Sequence, residues 1–345
     1  MTGRFGAKRD VLARCMYWSG GVLLSNYLPA KNSLLVLLYH RLGNPSEDPY
    51  DRGVFSATGE QFDDHIRYLK RNFSPITLEE AEDWITGPAR CESRGCRVLV
   101  TFDDGYLDNY EIGFPILRSH GVQGVFFLSS SLVGSSAVPW WDEIAYLLRT
   151  ARNKRFTLQY PVELAVNIAE ERISEGIRKV INLYKTPENQ DPERFMEGVR
   201  DAVQGDDLGP SVRRFLDWDE ARAMVRGGMA IGSHCHSHRV LSKLDATQQG
   251  VELSHSRSVL QERVGMPINS VAYPVGIKDS FSTQTERLAR EAGYKVAFSN
   301  HGGVNLSEDL LNPYDVRRVG VSTAQDKIRF RVQATSARLT GKFWP

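Results

Sequence analysis

The chain is poor in cysteine. Its 345 residues hold four, at positions 15, 91, 96 and 235, too few to form the disulfide framework of a secreted scaffold. Cys91 and Cys96 leave two alternatives open: they pair, or with histidines they hold zinc. No second cysteine pair supplies the remaining ligands, which favours free thiols. Cys235 reads as a small core residue, and this usage fits a reducing compartment. An excess of either charge is also missing, because 43 Lys+Arg face 42 Asp+Glu for a net charge of +1. A nucleic-acid binder would carry a basic face, so that class is set aside. Long hydrophobic runs are absent as well. The stretch from Cys15 to Leu24 is too short and too broken to span a bilayer, and no small-residue cleavage site follows it. Arg4, Lys8, Arg9 and Arg14 accompany Tyr17 and Trp18, so residues 1–30 read as a helical segment packed on the domain, with peripheral membrane contact as the second alternative. The expected location is the cytoplasm or a membrane surface. No fixed-period repeat is visible, and nothing in the sequence sets the oligomeric state.

What is present is a βα rhythm. Leu34–His40, Val98–Phe102, Gly124–Leu128, Met229–Ser233, Ser270–Tyr273, Lys295–Phe298 and Val316–Val321 are short apolar runs separated by helical patterns, the signature of a largely parallel sheet. Thr77 with Glu80 three residues later marks a helix start. Six or seven strands suit a barrel better than an open sheet. The expected fold is therefore α/β, a distorted and incomplete (β/α)7 barrel over 31–325. The rhythm fails between about 135 and 209, which reads as a helical insertion beside the barrel, and 326–345 reads as a C-terminal helix or tail.

The chemistry concentrates at one edge of these strands. Asp103 and Asp104 stand side by side at the end of a buried-type strand, where unpartnered carboxylates cost several kcal/mol. A cation is the strongest reason to keep them there. His234 and His238 follow another strand, and one Asp with two His is a ligand set that leaves positions for water and substrate. The spare carboxylate is then free to act as a base. His40 and Pro274-Val275-Gly276 also lie just past strand ends. Each part alone has a plain explanation: a turn and helix cap for Asp-Asp-Gly, a surface pair for His-x-x-x-His, a satisfied core histidine for His40. Their common placement at the C-terminal rim, where barrel enzymes carry their active sites, favours an enzyme.

Thr101-Phe102-Asp103-Asp104-Gly105-Tyr106 resembles the first motif of the polysaccharide deacetylases, the NodB-homology or family-four carbohydrate esterases. Ile231-Gly232-Ser233-His234-Cys235-His236-Ser237-His238 resembles the second, and Ala272-Tyr273-Pro274-Val275-Gly276 a variant of the third. Arg318 with Val319-Gly320-Val321 resembles the late strand. The Leu38-Tyr39-His40 histidine on the first strand, in place of one on the last, resembles the circularly permuted branch that includes deacetylases of poly-N-acetylglucosamine. The resemblance implies Asp104, His234 and His238 as ligands of a divalent metal, Zn²⁺ above others, and Asp103 as general base. It implies His40 as the acid for the departing amine, a backbone N–H near Tyr273 for the oxyanion, and substrate contacts from Tyr106, Tyr273, Pro274, Val275 and Gly276. The implied substrate is an N-acetylated glycan.

Three departures stand out. Cys235 replaces a usual Ser or Thr, so a supporting hydrogen bond is weakened or replaced. The third motif lacks its base-orienting arginine, a role open to Arg318 and less well to Arg317. Val275 replaces a frequent aromatic. Trp140 and Trp141 suit stacking on sugar rings, or Trp141-Asp142-Glu143 simply begins a helix. Hydrolysis of a C–N bond outside polysaccharides and a carbohydrate-binding scaffold without activity remain the alternatives.

Overall fold

The computed structural model describes residues 13–25, 27–87, 95–170, 172–206 and 212–343. Expectations for residues 1–12 and for Cys91 lie outside the described residues. Cys15, Cys96 and Cys235 are free thiols.

Seven parallel strands form a curled sheet: β1 (Ser33–Tyr39), β2 (Cys96–Phe102), β3 (Gly124–Leu128), β4 (Ala230–Ser233), β5 (Ser270–Ala272), β6 (Val296–Phe298) and β7 (Val319–Gly320). Their spatial order is β6-β5-β4-β3-β2-β1-β7. Closure is slight. Val319 and Gly320 pair with Leu37 and Leu38 of β1, and Val316 makes a single parallel bridge to Phe298 of β6. The fold is an incomplete (β/α)7 barrel.

Both faces of these strands are buried, which is why they read as continuous apolar runs and not as alternating ones. The faces still divide by parity. Leu34 and Val36, Leu99, Val125 and Phe127, Ala230, Ala272, Val296 and Phe298, and Val316 form one cluster inside the barrel. Leu35, Leu37 and Tyr39, Val98, Val100 and Phe102, Ile231, Val271 and Tyr273, and Val319 and Val321 belong to the layer packed under the helices. Space inside is tight: a Cβ on Gly232 would lie 2.4 Å from the Phe127 ring. Helix α1 (Leu78–Thr86) begins with a Thr77/Glu80 capping box. It sends Leu78, Ala81, Trp84 and Ile85 into the interior cluster and accepts a hydrogen bond from Ser270 Oγ on Glu82 Oε1. It plugs the N-terminal end of the strands and leaves the C-terminal end for chemistry.

The insertion differs from its expected form in two ways. It contains helices α2 (Trp140–Thr150), α3 (Ile173–Lys185) and α4 (Pro192–Val203), but also an antiparallel hairpin, Arg155–Leu158 with Leu164–Asn167. It builds its own core from Ile144, Leu148, Val180, Phe195 and Val199, and that core continues into Tyr106, Phe215 and Val240 of the barrel loops. The insertion therefore stands over the barrel mouth and not merely beside it.

Helix α5 (Ala246–Val264) lies beside β4, and α6 (Lys327–Thr340) ends the described chain. The Arg338 guanidinium of α6 donates to Ser25 O and Leu28 O, tying the N-terminal segment down. Trp18, Leu23, Leu24, Tyr27 and Leu28 of that segment stay exposed. No described helix is long and apolar enough to cross a membrane.

Candidate active site

Strand parity delivers the reactive groups. Extending the interior series past each strand end reaches His40 from β1, Asp103 from β2 and His234 from β4. Arg318, immediately before β7, follows the interior residue Val316 by two. Asp104 reaches the same space by another route, a left-handed backbone (φ 73°) followed by Gly105 (φ 81°). Cys235, His238 and Val275 also hold positive φ (61°, 55° and 65°). Such conformations cost free energy in non-glycine residues and cluster at functional sites.

Asp103 and Arg318 form a buried fork-to-fork pair, with Nη1 to Oδ1 and Nη2 to Oδ2 both at 2.7 Å. The guanidinium also donates to Ser299 O at 3.2 Å and Thr101 Oγ1 at 3.4 Å. The two side chains are almost wholly removed from water. Only such complete pairing makes burial of both charges tolerable. Burial pushes the Asp103 carboxyl up, yet the charges of Arg318, His234 and His40 outweigh it and hold the group below the usual carboxylate range.

Asp104, His234 and His238 each offer one ligand atom, all within 4.8 Å of one another. Asp104 Oδ1 lies 3.4 Å from His234 Nε2 and 3.2 Å from His238 Nε2, yet it makes no hydrogen bond of acceptable geometry. That is the state of an oxygen fitted to share a cation with its neighbours. His234 Nδ1 lies 2.7 Å from Ala272 O, which assigns the proton to Nδ1 and leaves the Nε2 lone pair for a metal. One carboxylate oxygen and two imidazole nitrogens fit zinc and other first-row divalent ions. Burial pushes Asp104 up, but the two rings beside it hold it well below the usual range. Burial lowers His234, and Asp103 and Asp104 reverse this and raise it. For His238 burial prevails, and the ring is held below its ordinary value.

The loop carrying both histidines is fixed from α5. Glu252 Oε2 accepts from His236 N at 2.9 Å and Ser237 N at 2.8 Å, and Ser256 Oγ donates to Cys235 O at 2.9 Å. Cys235 N donates to Ser233 Oγ at 3.2 Å. Cys235 itself is buried in the core, so neighbours supply the support that a serine or threonine at its position would give. Glu252 carries no local signal in the sequence; it becomes visible only when α5 packs beside the loop.

A cavity of about 580 Å³ joins His40, Asp103, Asp104, His234 and His238 with Trp140 and Trp141 of the insertion. His40 is fixed through its backbone, N to Ser56 Oγ at 2.9 Å and O from Asn109 Nδ2 at 2.7 Å. Trp140 stacks on Tyr184 with centroids 3.9 Å apart, and the Trp141 ring sits 4.4 Å from that of His238. Both tryptophans begin α2 and both line the cavity.

Of the five residues expected to bind substrate, the structure brings Val275 to the cavity wall. Tyr106 is fully buried, stacked on Phe215, with its hydroxyl donating to Asp142 and accepting from Trp141 Nε1. Tyr273 has the outward parity of β5, so its ring packs under the helices and its hydroxyl donates to Tyr314 O. Its amide is also committed, to Phe298 O at 3.0 Å, and is not available to an oxyanion. Pro274 and Gly276 shape the turn: Gly276 N donates to Pro274 O. Arg317 is passed over as well, its backbone N–H donating to Asn305 Oδ1 while Arg318 reaches Asp103.

Residues 92–297 match the family model described as polysaccharide deacetylase. The chain belongs to the polysaccharide deacetylase family. It is accordingly a hydrolase of carbon–nitrogen bonds acting on glycans. The match begins before β2 and ends within β6, so His40, just past β1, and Arg318, just before β7, both lie outside it. The Bacillus subtilis (strain 168) protein YxkH, assigned provisionally to the polysaccharide deacetylases, is 22% identical over 295 residues, 85% of this chain and 72% of that protein. Among solved structures, IcaB from Ammonifex degensii aligns with a TM-score of 0.56 at 20% identity, over 88% of this chain and 96% of that one. The Streptococcus pyogenes deacetylase PplD in complex with acetate aligns with a TM-score of 0.54 at 14% identity, over 88% and 97%. These likenesses carry the fold.

Proposed function

We propose that the chain removes N-acetyl groups from N-acetylated amino sugars of a glycan, with a divalent metal, Zn²⁺ above others, at Asp104, His234 and His238. The observation that carries this reading is the adjacency, in one cavity, of that ligand set and the Asp103–Arg318 pair. The metal, when bound, would acidify a water molecule and polarise the amide carbonyl. Asp103, kept ionised by Arg318, accepts the proton of the attacking water. Arg318 touches no substrate; it fixes both carboxylate oxygens and so orients the base. The Val275 N–H is the donor toward the developing oxyanion, because Val275 lines the cavity and the residue before it, Pro274, has no N–H. His40 delivers the proton to the departing amine. Acetate leaves, and the sugar keeps a free amino group.

The test is acetate release from a panel of N-acetylated glucosamine oligomers, with chelator-treated protein and added Zn²⁺, Co²⁺ or Ni²⁺. Release that depends on the metal is expected; none from any oligomer with any of these ions would overturn the assignment.

The same reading includes contact with a membrane surface. Among the described residues, five of the ten exposed large hydrophobic side chains fall between Trp18 and Leu28, a density that scattered surface residues do not reach. Aromatic residues beside leucines suit an interfacial segment. Flotation with anionic vesicles should retain the full chain, and replacing Trp18, Leu23 and Leu24 by serine should release it; an unchanged partition would remove the membrane from the account.

A further inference from the structure

One wall of the cavity, built from the insertion and from the loop that carries Arg52, is basic. Arg52, Arg149, Arg172, Arg178 and Lys185 all line it, against Asp51 and Glu175 as the carboxylates outside the reaction centre. None of the five cations forms an ion pair among the described residues. Arg149 Nε donates to Tyr50 O and Arg52 Nε to Asp48 O, neutral carbonyls in place of carboxylate partners, with the Asp51 and Asp48 charges acting on Arg149 without contact. Lys185 is half-buried and makes no hydrogen bond; its ammonium stands 5.8 Å from the Trp140 ring centroid. Other cations of the chain, among them Arg14, Arg41, Arg67, Arg155, Arg200 and Arg213, each meet a carboxylate; what sets these five apart is that they face one cavity together. With a net charge of +1 for the whole chain, this gathering is a matter of placement and not of composition.

Like charges facing one cavity repel and cost stability unless an anion joins them. Helix periodicity maintains the arrangement, since Ser174, Arg178, Ile181 and Lys185 fall on one face of α3 and that face lines the cavity. Burial, partly offset by Asp51 and Asp104, pushes the Lys185 ammonium below its ordinary value. Burial together with the Arg52 charge lowers Arg149, against the opposing pull of Asp51 and Asp48. Both are groups that a bound anion would stabilise.

We propose that this wall is an anion subsite that takes a phosphate or pyrophosphate ester carried by the glycan, next to the reaction centre. Five cations against two carboxylates match a ligand of two or more charges better than a single carboxylate, and guanidinium forks suit phosphoryl oxygens. Trp140, stacked on Tyr184 and beside Lys185, lines the cavity between the two sites. As an account of substrate recognition, the subsite rests on the deacetylase reading of the neighbouring centre; as a binding site, it does not.

Calorimetric titration of chelator-treated protein with inorganic pyrophosphate tests it without catalysis. Pyrophosphate is expected to bind, and Lys185→Gln and Arg178→Gln are each expected to weaken it about tenfold, the scale of one lost charge-assisted contact. Arg222→Gln, a paired surface position, should leave affinity unchanged. Thermal melts establish that each variant is folded. A wild-type chain that does not bind pyrophosphate, or affinity indifferent to both subsite variants, overturns the proposal. A second arm compares KM for an N-acetylglucosamine oligomer with and without a phosphate ester: the ester should lower KM, and Lys185→Gln should erase that advantage. Presenting the phosphorylated sugar free or on a lipid in vesicles distinguishes a soluble from a membrane-borne source. Acetate release without pyrophosphate binding would end the subsite and keep the deacetylase; pyrophosphate binding without acetate release from any glycan would do the reverse.

Discussion

Two aspartates are buried against arginines within the same molecule, and they behave in opposite ways. Asp103 meets Arg318 through two parallel hydrogen bonds and is held below the usual carboxylate range. Asp142 meets Arg214 through one guanidinium nitrogen, shares its surroundings with Asp51 and Tyr106, and is pushed up by burial to about 7. Arg318 satisfies its donors on Asp103, Ser299 and Thr101, whereas Nε and Nη1 of Arg214 have no partner and its guanidinium lies 3.7 Å above the Tyr50 ring. Burial raises both carboxyls. The surroundings decide the outcome: Arg318, His234 and His40 together overcome burial at Asp103, whereas at Asp142 the pull of Arg214 is opposed by burial and by the Asp51 charge. The doubly held Asp103 carboxylate stays ionised at neutral pH, while Asp142, with one contact to its arginine and a second carboxylate nearby, titrates there.

The comparison can be broken at either pair. The largest effect belongs to Asp103→Asn, which should lower acetate release by about 10²–10⁴-fold while elemental analysis still finds metal; a near-normal rate would move the base elsewhere. Arg318→Leu comes next. It strands a buried carboxylate and should destabilise the chain by about 3–5 kcal/mol in denaturant unfolding. Arg214→Leu should cost less, about 1–2 kcal/mol, because Asp142 already lies close to its neutral form at pH 7. Equal costs for the two arginines would erase the distinction.

The smallest effect is the pH dependence. Asp142 has a folded value above its ordinary one, so its contribution is present at acid pH and fades as pH rises toward and through about 7. Asp103 is depressed, so its contribution is present above the ordinary value and is lost as pH falls through the folded one. Melting temperature followed from pH 5 to 8 should therefore contain a declining component that Asp142→Asn removes. An unchanged slope in that variant would refute the elevated value.

Much of the rim was legible because side-chain parity survives past the end of a strand. His40, Asp103 and His234 keep the interior phase of Leu34, Leu99 and Ala230, and Arg318 keeps that of Val316. The same rule, applied to Tyr273, assigns its ring to the helices; motif likeness alone suggested a substrate contact. Tyr106 was less accessible to inference, since its burial depends on Phe215, Trp141 and Asp142, all distant in sequence. The loss of βα rhythm after residue 135 marked the insertion but carried no information on where it docks. The hairpin within it was hidden because Arg155–Leu158 and Leu164–Asn167 are four residues each, too short for their alternation to stand out among charged helical sequence.

The slight closure of the barrel carries a consequence for how the site is assembled. Asp103 acquires its partner from a residue 215 positions further along the chain, beside a strand of two residues whose only ladder is with β1. On the proposed mechanism, the strands from β1 to β6 bring together Asp104, His234 and His238 but leave Asp103 without the guanidinium that orients it. Under that mechanism, competence would depend on the docking of the few residues around Arg318 and not on the sheet alone.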